Sequence, residues 1–253
     1  MSDQPSVTLH LGDCLSILRT LPDASVDAVV TDPPYSSGGQ YRSDRAKPTD
    51  RKYTQTEYEG RRPDFFGDNM DQRAWLAWCN LWLSECVRVT KPGGRILMFS
   101  DWRQFPAASD ALQLAGWTWR GVVVWDKTEG TRAPHRGRFK HQCEFILWGS
   151  NGPMVIGDAA HFGHLPGCFR LPVLQSDKHH QTGKPTPLMG QLLKCVEPNG
   201  TVLDPFMGSG TTGVAAVQKD LSFIGVEKSP AYHAIAQRRI NEALGAHPLF
   251  NNA

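Results

Sequence analysis

Thr201-Val202-Leu203-Asp204-Pro205-Phe206-Met207-Gly208-Ser209-Gly210-Thr211-Thr212 is the stretch on which the reading of this chain turns. Its first residues read as a buried strand, its middle as a Gly-rich turn, and a helix over 211–219 follows directly. Gly208 and Gly210 allow a tight turn that brings backbone N–H groups against a ligand, and the helix N-terminus adds partial positive charge. The next strand, 223–227, ends in Glu227, which suits the two hydroxyls of a ribose. This is the topology of a nucleoside-cofactor site at the carboxyl ends of parallel strands. Phosphate binding is disfavoured because the chain has no G-x-x-x-x-G-K-[ST] segment. Taken alone, the Gly-x-Gly also fits an ordinary tight strand-to-helix turn.

The second informative stretch lies far upstream. Val26 to Val30 reads as a buried strand that runs into Asp32-Pro33-Pro34-Tyr35. Two prolines fix the backbone and remove two N–H donors, which leaves carbonyls facing a ligand. The Asp32 carboxylate beside the Pro33 carbonyl makes a pair of acceptors suited to a planar NH₂ group, and Tyr35 offers a face for stacking. The plainer reading is a rigid strand-to-loop corner.

Between and around these motifs, hydrophobic spacing predicts strands at 7–11, 95–100, 117–125 and 145–148, with helices at 14–21, 71–90, 103–115, 187–196 and 230–244. Pro92-Gly93-Gly94 is expected to end the 71–90 helix. Trp75, Trp78 and Trp82 form a stripe on that helix, read as core packing, with a dimer interface as the sharper alternative. Residues 36–70 and 150–180 show no periodicity. Strands alternating with helices imply an α/β fold with a mostly parallel, doubly wound sheet. With 253 residues, a single domain over 1–253 is the economical reading.

Asp-Pro-Pro-Tyr together with Asp-Pro-Phe-Met-Gly-Ser-Gly-Thr-Thr resembles the amino-methyltransferases that act on DNA. The catalytic motif precedes the cofactor turn, which resembles the permuted "beta" subgroup of adenine-N6 enzymes. The resemblance covers 7–35 and 87–245. It implies a Rossmann-like methyltransferase fold with an antiparallel strand in the sheet, S-adenosylmethionine as cofactor, and methyl transfer to adenine N6. It further implies Asp32, Pro33, Pro34 and Tyr35 as catalytic residues, with the target base flipped out of the duplex. The same resemblance implies a cofactor site of Asp13, Cys14, Asp32, Thr182, Lys184, Asp204, Pro205, Phe206, Gly208, Ser209, Gly210, Thr211, Thr212, Glu227 and Lys228. Gly12-Asp13 matches the segment that meets the cofactor's adenine, and Thr182 and Lys184 the segment over its methionine end. Gly137-Arg138-Phe139 with Glu144 resembles the segment that helps hold the target base. Lys91-Pro92-Gly93-Gly94 resembles the family's turn before a strand. Enzymes acting on N4 of cytosine usually carry Ser where Asp32 stands. An RNA or N4-cytosine methyltransferase and a non-catalytic subunit of a paired enzyme are the alternatives.

Double-stranded DNA is the expected partner, met by Arg42, Arg45, Arg61, Arg62, Arg132, Arg136, Arg138 and Lys140. Stretch 36–70 is expected to be a mobile DNA-facing loop and 150–180 a small target-recognition insert. A second copy of the chain and a cognate restriction nuclease elsewhere stay open as partners. His161, His164, Cys168, His179 and His180 match no standard metal spacing, so no metal is expected. The six cysteines are read as reduced core thiols. A formal charge of +2 is too mild to announce nucleic-acid binding by itself. The start of the chain lacks a signal-peptide pattern and no run of 18 apolar residues occurs, so a cytoplasmic location is expected.

Overall fold

A computed structural model describes residues 5–35, 70–129, 136–154, 162–173 and 183–246. Among these residues the strands are β1 (Val7–Leu11), β2 (Val26–Thr31), β3 (Thr90–Ser100), β4 (Thr118–Asp126), β5 (Cys143–Ser150), β6 (Cys168–Arg170), β7 (Thr201–Asp204) and β8 (Ser222–Glu227). The helices are α1 (Cys14–Leu18), α2 (Gln72–Val89), α3 (Phe105–Leu114), α4 (Thr186–Leu192), α5 (Thr211–Val217) and α6 (Pro230–Ala246). The strands form one sheet in the order β1-β8-β7-β2-β3-β5-β4-β6. All neighbours are parallel except β5, which runs antiparallel to both β3 and β4. This is the mixed, mostly parallel α/β sheet expected, with its one reversed strand.

Period-two alternation sorts the sheet's side chains into two cores. Val29, Ile96, Met98, Leu147, Leu203 and Val226 face α1, α2 and α3 on one side. Val30, Leu97, Phe99, Ile146, Val202 and Phe223 face α4, α5 and α6 on the other. Both faces being covered is why β2 reads as a nearly continuous apolar run. On α2, Trp75 and Trp82 are fully buried and Trp78 partly so, which makes the Trp stripe core packing.

Two local departures from the sequence reading have clear causes. Helix α2 starts where expected, because the Asp71 side chain accepts from both Arg73 and Ala74 N–H at 3.0 Å. It ends earlier than Pro92, however. Thr90 adopts extended φ/ψ of −87° and 133° and its hydroxyl donates to the Cys86 carbonyl at 2.6 Å. The Lys91–Gly94 segment that follows is the expected turn, held within the bounds of β3: Gly93 has φ of +77°, and the ladder with β2 passes from Thr90 directly to Arg95. The second departure is β6, inside a stretch that looked irregular. Three residues are too few to show a period, and this edge strand is held from outside itself. It pairs with β4, and the Trp125 indole donates to the Leu171 carbonyl at 2.8 Å.

Four of the cysteines are buried as expected, but Cys143 is half-buried and Cys168 is exposed on the edge strand. No helix among the described residues is long and apolar enough to cross a membrane.

Candidate active site

Strands β2 and β7 are parallel neighbours, with Ala28 opposite Val202 and Val29 opposite Leu203. The chain leaves them in opposite directions, β2 through α2 to β3 and β7 through α5 to β8. At such a switch point the outgoing loops part and leave a crevice at the carboxyl ends of the strands. Asp32–Tyr35 leaves β2 there and Asp204–Gly210 leaves β7. The two motifs thus meet, and the Thr31 hydroxyl donates to Asp204 Oδ1 at 2.8 Å across a separation of 173 residues.

Asp204 was expected to face the cofactor, but its carboxylate is engaged inside the protein. Oδ1 also accepts from the Phe206 N–H at 3.1 Å and Oδ2 from the Thr212 hydroxyl at 2.6 Å. Burial pushes this carboxyl up to about 7, against the downward pull of those donors. Asp204 braces β2, the turn and α5 together. Phe206 likewise turns toward α2, with ring centroids 5.4 Å from Trp78 and 5.0 Å from Trp82. Pro205, Ser209, Thr211 and Thr212 are buried around the turn.

Gly210 caps α5 with φ of +80°, a conformation natural to glycine. The sequence reading stopped at that residue, yet Gly213 completes Gly-x-Gly-x-x-Gly. A Cβ at Gly213 would lie 2.5 Å from Ile240 Cδ1 and 2.7 Å from Phe223 Cε1, so this glycine lets α5 sit close to β8 and α6. The pattern was legible and by itself names no cofactor. Arg239 carried no such signal. Reaching from α6, its buried guanidinium donates to the Ser209 carbonyl at 2.6 Å and to the Ser209 and Thr211 hydroxyls at 3.2 Å. Arg239→Met is expected to cost about 2 kcal/mol and to lower the thermal midpoint by roughly 4–8 °C. A midpoint within one degree of the parent in differential scanning calorimetry would show that the turn holds itself.

Glu227 stands at the end of β8, beside this turn. Its Oε2 accepts from the Gly208 N–H at 3.0 Å and its Oε1 from the Ser229 N–H at 2.7 Å. Each oxygen retains acceptor capacity for a further donor. Burial raises this carboxyl, with the backbone donors opposing it. The Gly12 N–H donates to the Glu227 carbonyl at 2.9 Å, which draws Asp13 alongside. Asp13 caps α1 through the Leu15 N–H at 3.1 Å and pairs with Lys228 at 3.3 Å on the surface. Cys14 is buried, and its thiol is pushed up to about 12, chiefly by burial. It contributes packing and no reactive thiolate.

On the other side of the crevice, Asp32 is gripped from two directions. The Tyr35 hydroxyl donates to Oδ1, and Lys184 Nζ donates to Oδ2 at 2.6 Å. The Trp75 indole donates to the Pro34 carbonyl at 2.7 Å, so α2 clamps the second proline and not the first. Burial raises the Asp32 carboxyl, with Lys184 pulling against it. Burial and the Asp32 charge push the Tyr35 phenol far up, so it stays a proton donor. Lys184, expected only to line a pocket, is buried between Asp32 and Glu144, with Glu144 Oε2 at 3.1 Å. Glu144 is also paired with Lys127 at 3.1 Å. Thr182 lies outside the described residues.

Of the expected DNA contacts, Arg42, Arg45, Arg61, Arg62 and Arg132 lie outside the described residues, as do stretch 36–69 and His161, His179 and His180. Arg136, Arg138 and Lys140 are exposed on the β4–β5 connection, with Lys140 donating to the Glu129 carbonyl at 2.8 Å. The sequence reading singled out Phe139 beside them but missed Trp102 and His141. Phe139 is 96% exposed. Trp102, past the end of β3, stacks on His141 with centroids 5.6 Å apart and planes 13° apart. Arg103 lies 5.1 Å from the Trp102 ring centroid. Trp102 and His141 come from separate segments, so no local pattern marks their stack. Among the described residues no cluster of His, Cys, Asp and Glu could hold a metal ion.

The chain matches the DNA methylase family N6_N4_Mtase over residues 26–156 and 164–238. It is 31% identical over 231 residues to YubD of Escherichia coli (strain K12), a protein named as a methylase, covering 90% of this chain and 88% of that one. Among solved structures, a Thermus thermophilus protein named as a DNA modification methylase, complexed with S-adenosyl-L-methionine, is similar with a TM-score of 0.66 at 20% identity. That alignment covers 95% of each chain. The PvuII cytosine-N4-specific DNA methyltransferase is similar with a TM-score of 0.69 at 18% identity, covering 93% of this chain and 88% of that one. At such identities the two structures speak to the fold.

Proposed function

The chain belongs to the N6/N4 DNA methylase family, and from that premise we propose that it transfers the methyl group of S-adenosylmethionine to the N6 amino group of adenine in double-stranded DNA. The observation that carries this reading is the juxtaposition of Asp32 with the Asp204–Gly210 turn at the switch point between β2 and β7.

The donors and acceptors around the crevice fit the cofactor chemically. Glu227 has acceptor capacity for a ribose diol, Asp13 for the amino group of an adenine, and the turn at 208–210 suits close approach of a flat ligand. Lys184 and Asp32 supply one charge of each sign, as the zwitterionic amino acid end requires. Bound there, the cofactor supplies an electrophilic methyl on a sulfonium. Asp32 and the Pro33 carbonyl accept the two N–H bonds of the target amino group, and so turn its nitrogen lone pair outward. The Asp32 carboxylate stabilises positive charge as it grows on that nitrogen. Tyr35, its hydroxyl fixed by Asp32, keeps its ring in one orientation for stacking on an extruded base. Much of the acceleration then comes from positioning, because direct displacement needs the reacting atoms in line.

Arg136, Arg138 and Lys140, with Phe139 and the Trp102–His141 stack, form a cationic and aromatic lip suited to duplex phosphates and to a disturbed base stack. Replacing Arg136, Arg138 and Lys140 together by Gln is expected to weaken duplex binding evenly across sequences. The slope of log K against log salt should fall by about 0.9 for each phosphate that is no longer neutralised. Fluorescence anisotropy between low and moderate salt reads this, and an unchanged slope rules the lip out.

Methylation of N4 of cytosine is the second reading, favoured by the likeness to the PvuII enzyme. Asp32, where N4-cytosine enzymes usually carry Ser, supports adenine. Mass spectrometry of nucleosides from duplex DNA incubated with methyl-labelled S-adenosylmethionine separates the two. Label in N6-methyladenine is expected, and label in N4-methylcytosine alone overturns the adenine reading.

A further inference from the structure

Beside the Asp32 motif lie three ionisable side chains, and methyl transfer as described uses only one of them, Lys184, and only for its charge toward the cofactor. Lys184 Nζ sits 2.6 Å from Asp32 Oδ2 and 3.1 Å from Glu144 Oε2, and Glu144 Oε1 sits 3.1 Å from Lys127 Nζ. The four groups come from four places: the loop after β2, the segment before α4, strand β5 and the loop after β4. Along the chain of contacts, Asp32, Lys184, Glu144 and Lys127 alternate in charge and sum to zero. The Lys184 side chain is 6% exposed. Its ammonium also lies 5.1 Å from the Phe99 ring centroid and 5.6 Å from that of Tyr35. A buried ammonium is tolerated only with a counter-ion.

The chemistry explains why this lysine has two. The amino nitrogen forms a bond to the methyl carbon with its lone pair, while the electron pair of the sulfur–carbon bond stays on sulfur. The nitrogen is then positively charged and must lose one proton to become a neutral methylamino group. Asp32 is the carboxylate next to that nitrogen. Once it takes the proton it is neutral, and Lys184 loses the counter-ion on that side.

We propose that Glu144 is a positioning residue that holds the Lys184 ammonium whenever Asp32 is protonated, so that Asp32 can accept the proton released from the methylated nitrogen. This rests on Asp32 gripping the target amino group. Lys127 is the second cation that keeps Glu144 ionised throughout. Burial raises Glu144, but Lys184 and Lys127 outweigh it and hold the carboxyl below its ordinary value. Burial likewise favours loss of the Lys184 proton, and Asp32 and Glu144 outweigh it.

The groups facing Asp32 are Lys184, Glu144, the Tyr35 hydroxyl and, more weakly, Asp204; Asp101 acts on Tyr35. The Glu144 charge raises Asp32 and opposes the attraction of Lys184. Glu144→Gln therefore makes Asp32 a weaker base. The acid limb of the single-turnover rate is expected to move down by about one pH unit, with a plateau roughly 10–100-fold lower. Lys127→Met removes a positive charge and is expected to move the acid limb up. A merely structural role predicts no shift of opposite sign in the two variants.

The experiment is a pH series of single-turnover methyl transfer to an adenine-containing duplex by the parent chain, Glu144→Gln and Lys127→Met. Limbs displaced in opposite directions sustain the proposal. Limbs that superimpose on the parent, or move together, overturn it. Should Glu144→Gln fail to fold, Lys127→Met decides by the direction of its limb. A parent chain that leaves no label in adenine refutes the adenine reading itself, whereas an active parent with unshifted variants refutes only the role of Glu144.

Discussion

Asp32→Ala is expected to slow methyl transfer by about a thousand-fold while S-adenosylmethionine still binds through Glu227, Asp13 and the 208–210 turn, more weakly for the lost charge at its amino acid end. The substitution removes both the charge that stabilises the developing cation and the acceptor for its proton, effects worth roughly 10²–10⁴ each where they have been separated. They act through one group, so they do not multiply. The fold should survive. Asp32 is raised by burial, so its ionised form is not what stabilises the native state, and Lys184 keeps Glu144 as a counter-ion at 3.1 Å. Single-turnover incorporation of labelled methyl reads the rate, and isothermal titration reads cofactor binding. A rate within tenfold of the parent would falsify the role given to Asp32. Asp32→Asn, which keeps the volume and one acceptor, is expected to be nearly as slow.

Gly210→Ala should be strongly damaging, and chiefly through stability. At φ of +80° an L-residue costs about 1–2 kcal/mol. The new Cβ would also lie 2.9 Å from Ala236 Cβ, 3.0 Å from Ala236 Cα and 3.1 Å from Ile240 Cδ1. Those atoms belong to α6, one of them to its backbone, so the helix as a whole must give way, at about 1–3 kcal/mol. Together that is about 2–5 kcal/mol of a native stability on the order of 5–15. Gly152→Ala is the matched control, since its φ is +72° and its Cβ would meet nothing within 4 Å. Urea unfolding should therefore show a far lower midpoint for Gly210→Ala than for Gly152→Ala. Equal midpoints would mean that α6 yields freely and the close approach matters little.

Much of this protein was written locally in its sequence. Asp204 to Thr212 and Asp32 to Tyr35 announce themselves because proline and glycine restrict or free the backbone at the residue where they stand. The 3.6-residue spacing of Trp75, Cys79, Trp82, Leu83 and Cys86 marks α2, and Asp71 marks its start. The nearly continuous apolar run of β2 signals a strand covered on both faces. Such signals span a few neighbours, and from them came the element types, the parallel sheet, the cofactor turn and the acidic motif.

Tertiary structure alone decided what meets what. Period two says which side of a strand is buried, but not which strand lies next to it, so the meeting of β2 and β7 was not visible in either segment. The bond from Thr31 to Asp204 spans 173 residues and that from Lys184 to Asp32 spans 152. No local pattern encodes a partner at that distance. For the same reason the bracing bonds of Asp204 were not visible locally, Arg239 was silent until α6 packed over the turn, and β6 gained its place from the side of β4. Charge, too, was undecided until burial: Lys184 is an ordinary lysine in the sequence, and becomes the centre of a four-group chain only where the sheet excludes water and leaves Asp32 and Glu144 on either side of it.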